Sequence, residues 1–332
     1  MKTKEFIKKV FNGEIIRVYY EHKNAMKLGK NTNIVNWQTI GKLEDYRNPQ
    51  IKNNIRIKPL IAHTYWQGKV GEKQIFSIKS FICTQNMDYF IIYIWLDKQS
   101  FDESKKNILL QKLLNQYSNK IFIKCWDIDK EIKDTPANKY KHFFHFKGKP
   151  LPAIADDFRL IALYKYGGLY FDLDVMFCKD FIPLIMQGEF VYAWEKQPFA
   201  NSAILFLNKK SYNAEYILKK VCKIKSSQPW AIFKYADTKL KHLIVYPCCM
   251  FDPLWNGYTE GMPIKNFEDF FKGFSNELKK DEKINSYKDF FNGIYAYHWH
   301  NQWKTPTTEN SYWGLFNNEF DNIISNEVKR YD

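Results

Sequence analysis

Ala155-Asp156-Asp157-Phe158-Arg159, the run from there to Tyr166, and then Gly167-Gly168-Leu169-Tyr170-Phe171-Asp172-Leu173-Asp174 decide how this chain is read. Ile154, Phe158, Ile161 and Lys165 recur at helical spacing, and Leu160 and Leu163 widen the apolar stripe. Asp156 and Arg159 are three residues apart, so they share one helix face. Gly167 follows the last periodic residue, where a helix usually stops. Leu169 to Phe171 then make a short aromatic strand, with Asp172 and Asp174 at its exit. Paired carboxylates at a strand end suit a hard divalent cation, Mg²⁺ or Mn²⁺, whose open positions can take phosphate oxygens. Standing alone, such a pair is more often a polar strand end or a set of helix caps.

Working outward, residues 58–68 form an apolar strand ending in His63, Trp66 and Gly68. Residues 72–85 are helical, residues 88–96 a second strand closed by Asp97, residues 105–117 helical, and residues 121–126 a third strand followed by Asp127 and Asp129. Alternating strand and helix argues for a parallel sheet, in which ligands bind beyond the carboxyl ends of the strands. Trp66, Asp97 and Asp172 all fall at predicted strand ends and can converge there. No Gly-x-Gly-x-x-Gly loop is present, so a dinucleotide site is not supported. Residues 130–152, with Pro136, Gly148, Pro150 and Pro152, read as a loop region. The run His142, Phe143, Phe144, His145 and Phe146 within it reads as core or an acceptor-facing surface, because no carboxylate accompanies it at ligand spacing. Two further strands are expected at residues 189–195 and 203–207, with Asn201 and Ser202 just before the second, read as a plain turn ahead of the alternative that they reach the donor sugar. A basic amphipathic helix follows at residues 214–225 and a strand at 243–246. The aromatic stretches 267–274 and 287–291 carry no functional reading. The last informative segment is Tyr295-Ala296-Tyr297-His298-Trp299-His300-Asn301-Gln302-Trp303.

A length of 332 residues fits one large α/β domain with a sizeable core. The formal net charge of +14 points to an anionic partner without choosing among nucleotide, acidic glycan, nucleic acid and membrane surface. Six cysteines without a Cys-x-x-Cys pair argue against a zinc site and for free thiols in a reducing compartment. No stretch approaches the roughly 20 apolar residues of a membrane span, and Met1-Lys2-Thr3-Lys4 has no apolar signal core behind it. A cytoplasmic location is expected. Lys2, Lys4, Lys8 and Lys9 surround Phe6, Ile7, Val10 and Phe11, an amphipathic helix pattern. That helix either packs on the main domain or touches anionic lipid at the inner face of the membrane, where each basic residue adds about 1 kcal/mol.

The order Asp156-x-x-Arg159, helix, Gly167-Gly168, aromatic strand, Asp172-x-Asp174 resembles glycosyltransferase family 32, the sugar-binding-region transferases with the Asp-x-Asp (DXD) motif. Capsule and outer-chain sugar transferases belong to it, and the catalytic domains of the clostridial glucosylating toxins are distantly similar. Ala155 stands where the family commonly has Ser, and the His63-x-x-Trp66-x-Gly68 segment resembles its first strand. The resemblance spans roughly residues 58 to 305 and implies a single α/β catalytic domain. That domain is GT-A-like: Rossmann-like, with a mixed, mainly parallel sheet and flanking helices. A basic extension at 1–57 and a C-terminal tail at 306–332 would flank it. By the same resemblance Trp66 stacks on the nucleotide base, and Asp156 and Arg159 hold ribose and donor sugar. Asp172 and Asp174 bind Mn²⁺ or Mg²⁺ on the diphosphate, with Asp156, Arg159 and Asp174 counted as catalytic. His298, ahead of His300, completes the metal shell, and Gln302 replaces a Ser of the closing segment. The implied reaction is sugar transfer with retention, from a nucleotide-diphosphate sugar, UDP-sugar favoured, to a glycan or lipid-linked glycan of cell-surface polysaccharide synthesis. No nucleic acid partner is expected. A haloacid-dehalogenase-like phosphohydrolase is the alternative enzyme, since Phe171-Asp172-Leu173-Asp174 also resembles its nucleophile strand, but Met176 stands where that motif has Thr or Val. A non-catalytic glycan-binding protein is the other alternative.

Overall fold

The chain is described by a computed structural model covering residues 59–145, 148–194, 197–256, 262–291 and 293–331. The extension at 1–57, with its expected lipid-facing helix, lies outside the described residues.

β1 (Leu60–Trp66), α1 (Glu72–Thr84), β2 (Phe90–Leu96), α2 (Lys98–Ser104), α3 (Ile108–Gln116) and β3 (Ile121–Cys125) follow the alternation expected from the sequence. The helix expected over 105–117 is α3, and a helix the sequence did not suggest, α2, precedes it directly after β2, where the Asp97 carboxylate accepts from the Ser100 hydroxyl. The loop expected at 130–152 holds three short helical turns, at Ile128–Glu131, Pro136–Tyr140 and Lys141–Phe144. Asp127 and Thr135 side chains cap the first two, local bonds that apolar periodicity does not report.

α4 (Leu151–Tyr166) leads to β4 (Gly168–Phe171) and β5 (Val175–Phe177); then come β6 (Phe190–Ala193), β7 (Ala200–Leu207), α5 (Tyr212–Ile224), β8 (Ile244–Tyr246), β9 (Ala296–His298) and α6 (Tyr312–Tyr331). The main sheet runs β3-β2-β1-β4-β7-β6-β8, and β5 and β9 form a separate antiparallel pair. β3, β2, β1 and β4 are mutually parallel, β7 is antiparallel to β4 and β6, and β6 and β8 are parallel. The sheet is therefore mixed and mainly parallel, as the GT-A-like expectation requires.

Both faces of the sheet are covered, which is why the parallel strands are apolar on both sides. Ile75, Ile78 and Phe81 of α1 and Leu110 and Leu113 of α3 pack on one face. Phe158, Ile161 and Leu163 of α4 and Ile217, Leu218 and Val221 of α5 pack on the other. A third cluster absorbs the aromatic stretches that carried no functional reading: Phe270, Phe271 and Phe290, together with Tyr297 and Trp299, close around Phe76 of α1. The tail expected at 306–332 is instead largely α6, whose Tyr312, Trp313, Phe316 and Phe320 complete that cluster. Burying aromatic side chains is worth about 1.5–3 kcal/mol each, so α6 is part of the fold. None of the six cysteines forms a disulfide among the described residues, and Cys178, Cys222, Cys248 and Cys249 are buried. No helix among the described residues is long and apolar enough to cross a membrane.

Two glycines aim the central motif. Gly167 caps α4 at φ 69°, a conformation most side chains disfavour. Gly168, at φ 110°, lies so close to β1 that a Cβ there would sit 2.0 Å from the Ile61 carbonyl oxygen. β1 and β4 are parallel neighbours in register His63↔Tyr170, so Trp66 and Asp172 both lie at carboxyl ends. The chain leaves β1 toward β2 on one side, while β4 lies on the other, so these ends flank the switch point where open α/β sheets bind ligands.

Candidate active site

Successive side chains of a strand alternate between faces, so Tyr170 and Asp172 look the same way from the end of β4. The Tyr170 hydroxyl donates to the Asp172 carboxylate. Arg159 projects from α4 over the Tyr170 ring, its guanidinium carbon 4.6 Å from the centroid. Its Nη2 lies 3.1 Å from Asp172 Oδ1 and 3.3 Å from Asp156 Oδ1, the carboxylate one turn earlier. Its Nη1 donates to the Ser202 carbonyl at 2.7 Å and to the Ser202 hydroxyl at 2.9 Å, and its Nε to the Ala155 carbonyl at 3.3 Å. The guanidinium is thus held at every nitrogen, in the planar fork that Lys cannot reproduce.

Asp174 sits in the turn between β4 and β5. β5 pairs antiparallel with β9 in register Val175↔His298, which brings a residue 124 positions later in sequence beside the Asp-x-Asp. His298 Nε2 is 3.3 Å from Asp174 Oδ1, and the Asn301 amide donates to Asp174 Oδ2 at 2.8 Å. His300 and Asn301 both take positive φ, 47° and 57°, uncommon for side-chain-bearing residues; this turn points the Asn301 N–H at Asp174. α1 braces the same region, with the Ser77 hydroxyl donating to the Val175 carbonyl at 2.6 Å and the Phe177 amide to the Ser80 hydroxyl at 2.9 Å.

One ligand atom from each of Asp172, Asp174 and His298 falls within 4.8 Å of the others. The set combines carboxylate oxygens and an imidazole nitrogen, donors that suit Mn²⁺ or Mg²⁺. Burial pushes Asp156 up to about 6 against the opposing pull of Arg159. Burial also raises Asp172 in spite of Arg159. Asp174 is driven down to about 2 although burial opposes it, because His298 and the Asn301 amide favour its charge. The same carboxylate lifts His298 to about 10 against burial. These shifts describe a pocket in which negative charge needs a cation.

Trp66, at the end of β1, is half-buried against Trp303, ring centroids 4.7 Å apart at 59°. Lys73 Nζ bonds the carbonyls of Gln302 and Thr305, holding the turn that carries Trp303. The Gln302 side chain accepts from the Thr305 hydroxyl at 3.0 Å.

Residues 71–191, about a third of the chain, match the family described as the glycosyltransferase sugar-binding region containing the DXD motif. The chain thus carries a DXD-type glycosyltransferase region. No curated protein matches the sequence. Among solved structures, this glycosyltransferase is similar to the PaToxG glycosyltransferase at 18% identity and a TM-score of 0.40, covering 66% of this chain and 77% of that one. It is similar to the WbbM bifunctional glycosyltransferase at 11% identity and a TM-score of 0.47, covering 85% of this chain and 53% of WbbM, so it spans about half of that protein. LgtC, a galactosyltransferase solved with donor and acceptor sugar analogues, is similar at 14% identity and a TM-score of 0.44, covering 80% and 96%.

Sequence reasoning brought together Asp156, Arg159, Asp172, Asp174 and His298 in this glycosyltransferase, and the structure assembles them. Asp97 stands at the end of β2 as expected, where it is the N-cap residue of α2 and accepts from the Ser100 hydroxyl. Asn201 and Ser202 were expected in a turn but lie in β7, buried, where Ser202 anchors Arg159. The His142–His145 run does have a carboxylate neighbour, Asp129, 3.2 Å from His145 in an exposed pair; Phe146 lies outside the described residues. Tyr170, Ser202, Asp252 and the Asn301 amide were missed. Only Tyr170 had a usable signal, its two-residue spacing from Asp172.

Proposed function

We propose that the chain moves a sugar from a nucleotide-diphosphate sugar, UDP-sugar favoured, to a glycan or lipid-linked glycan acceptor, with Mn²⁺ or Mg²⁺ and with retention at the anomeric carbon. The observation that carries this reading is the clustering of the Asp172, Asp174 and His298 ligand atoms within 4.8 Å, beside an Arg159 held at every nitrogen. Asp156 and Asp172 share one guanidinium and Asp174 lies beside His298, a concentration of carboxylates that a divalent cation would relieve. The donor set fits such an ion, and Asp172, Asp174 and His298 would hold it. When bound it supplies Lewis-acid neutralisation of the departing diphosphate.

The chain's own groups do the rest. Arg159, buried and fixed by Ser202 and Asp172, is preorganised to stabilise charge on the leaving phosphate without reorganising. Asp156, one helical turn away, accepts from sugar or ribose hydroxyls. Trp66 offers a ring face to the base. No side chain is assigned as a covalent nucleophile, and the preferred path is front-face attack by the acceptor hydroxyl. Its proton passes to the leaving phosphate. The surface polysaccharide role and a peripheral position at the inner membrane face belong to the same proposal, the latter motivated by the lysines at 2, 4, 8 and 9.

The test is incubation with a panel of nucleotide sugars and Mn²⁺ or Mg²⁺, measuring free nucleoside diphosphate. Metal-dependent release from one or a few donors is expected. No release from any donor, with or without metal, overturns the reading.

A further inference from the structure

We propose that Asp252 is a positioning residue that selects the tautomer of His298. Its carboxylate keeps the His298 proton on Nδ1, so that the Nε2 lone pair faces Asp172 and Asp174 and is free for a divalent cation. The inference rests on the metal reading above.

His298 Nδ1 has two polar neighbours. The Tyr192 hydroxyl is 3.1 Å away and Asp252 Oδ2 is 3.5 Å away. A hydroxyl can donate or accept, whereas an ionised carboxylate can only accept. If Tyr192 donates to Nδ1, a neutral imidazole must carry its proton on Nε2, pointing at Asp174, and no lone pair remains for a cation. If Nδ1 carries the proton, the Tyr192 oxygen and Asp252 Oδ2 both accept from it. The carboxylate tips the choice to the second arrangement. Hydrogen-bonding one ring nitrogen to a carboxylate is the general way a protein orients a metal-ligating histidine.

Asp252 is built into this place. It is fully buried. Its Oδ2 lies 2.7 Å from His300 Nε2, and the His300 ring stacks 3.8 Å from that of His298. Trp255 closes the other side of His300 at 4.3 Å. Asp252 Oδ1 is buried with no hydrogen-bond partner among the described residues. A fully buried carboxylate is costly and calls for a reason; its Oδ2, which faces both histidines, provides one by orienting His298. Asp252, His298 and His300 also lie close enough to hold a metal themselves. That set would need His298 Nδ1 as ligand, and one neutral imidazole has one lone pair. It cannot serve both sets, and only Nε2 faces the Asp-x-Asp.

The experiment titrates Mn²⁺ into the full chain near neutral pH, following free Mn²⁺ by electron paramagnetic resonance, with a thermal melt of each variant. Asp252→Ala and the volume-conserving Asp252→Asn should each weaken Mn²⁺ binding roughly ten- to hundredfold, the usual effect of losing such a partner. In Asp252→Ala the remaining Tyr192 hydroxyl holds the wrong tautomer. Adding Tyr192→Phe should therefore recover at least about threefold of the lost affinity, by relieving that donor bond. A merely structural role for Asp252 gives no such recovery, because the second substitution removes a further contact. Unchanged Mn²⁺ affinity in a folded Asp252 variant, or no recovery in the double variant, overturns the inference alone. Absence of Asp174- and His298-dependent Mn²⁺ binding in the wild type overturns the metal reading and this inference with it.

Discussion

Lowering the pH should destabilise this protein through one histidine far from the surface. His63 on β1 is fully buried. Its Nε2 donates to the Gly167 carbonyl at 3.0 Å, the cap of α4 that leads into the Asp-x-Asp strand. Its Nδ1 accepts from the Trp95 indole at 3.1 Å. Both nitrogens are thus committed, and a second proton on Nδ1 would face a donor. Burial pushes His63 down from 6.5 to about 4, with the Gly167 bond opposing. The unfolded chain therefore takes up the proton near pH 6.5 while the folded one resists it to about pH 4. Stability from this group is whole above pH 6.5, falls between 6.5 and 4, and is flat below. The linkage relation gives a loss of about 2 kcal/mol by pH 5 and about 3 kcal/mol in full. The assay is urea unfolding of the wild type and His63→Gln at about pH 7.5 and pH 5. Other titrating groups are common to both, so the change in their stability difference isolates His63. The wild type should lose about 2 kcal/mol more than the variant over that interval. Parallel losses in the two proteins refute the reasoning.

Three further outcomes bear on the site. Asp172→Asn and Asp174→Asn should each abolish donor turnover with the fold retained, and chelation should do the same; full activity in either variant or in EDTA sinks the metal assignment. Trp66→Ala should weaken nucleoside diphosphate binding by about 1–3 kcal/mol, the worth of base–aromatic stacking, measured by calorimetry; an unchanged dissociation constant leaves Trp66 as the packing partner of Trp303. Arg159→Lys should cut turnover at least about tenfold at unchanged Mn²⁺ affinity, since charge-assisted bonds of about 1.5–3 kcal/mol are lost; Asp156→Ala should weaken nucleotide-sugar binding. Turnover per folded molecule and melting temperature are read together, and a fall in stability alone makes the pair structural.

By itself the sequence determined what is local or periodic. Helical spacing from Ile154 to Lys165, the Gly167-Gly168 stop, the aromatic strand and the Asp172-x-Asp174 exit are short-range features, and each appears where its pattern puts it. Strand and helix alternation gave the parallel part of the sheet for the same reason, and Asp156 faces Arg159 because residues three apart on a helix must. Pairing across long separations was not legible. β7 lies antiparallel to β4, and that register turns Ser202 from an expected turn residue into the anchor of Arg159. The packing of α6 against α1 depends on aromatic residues scattered from Phe76 to Phe320, whose complementarity exists only in the folded core. Asp252 carries no motif at all; its meaning comes from the β5–β9 pairing that sets His298 between it and Asp174. Sequence spacing can name residues whose chemistry suits a site, but which of their atoms face one another is decided by contacts between segments that only the tertiary structure brings together.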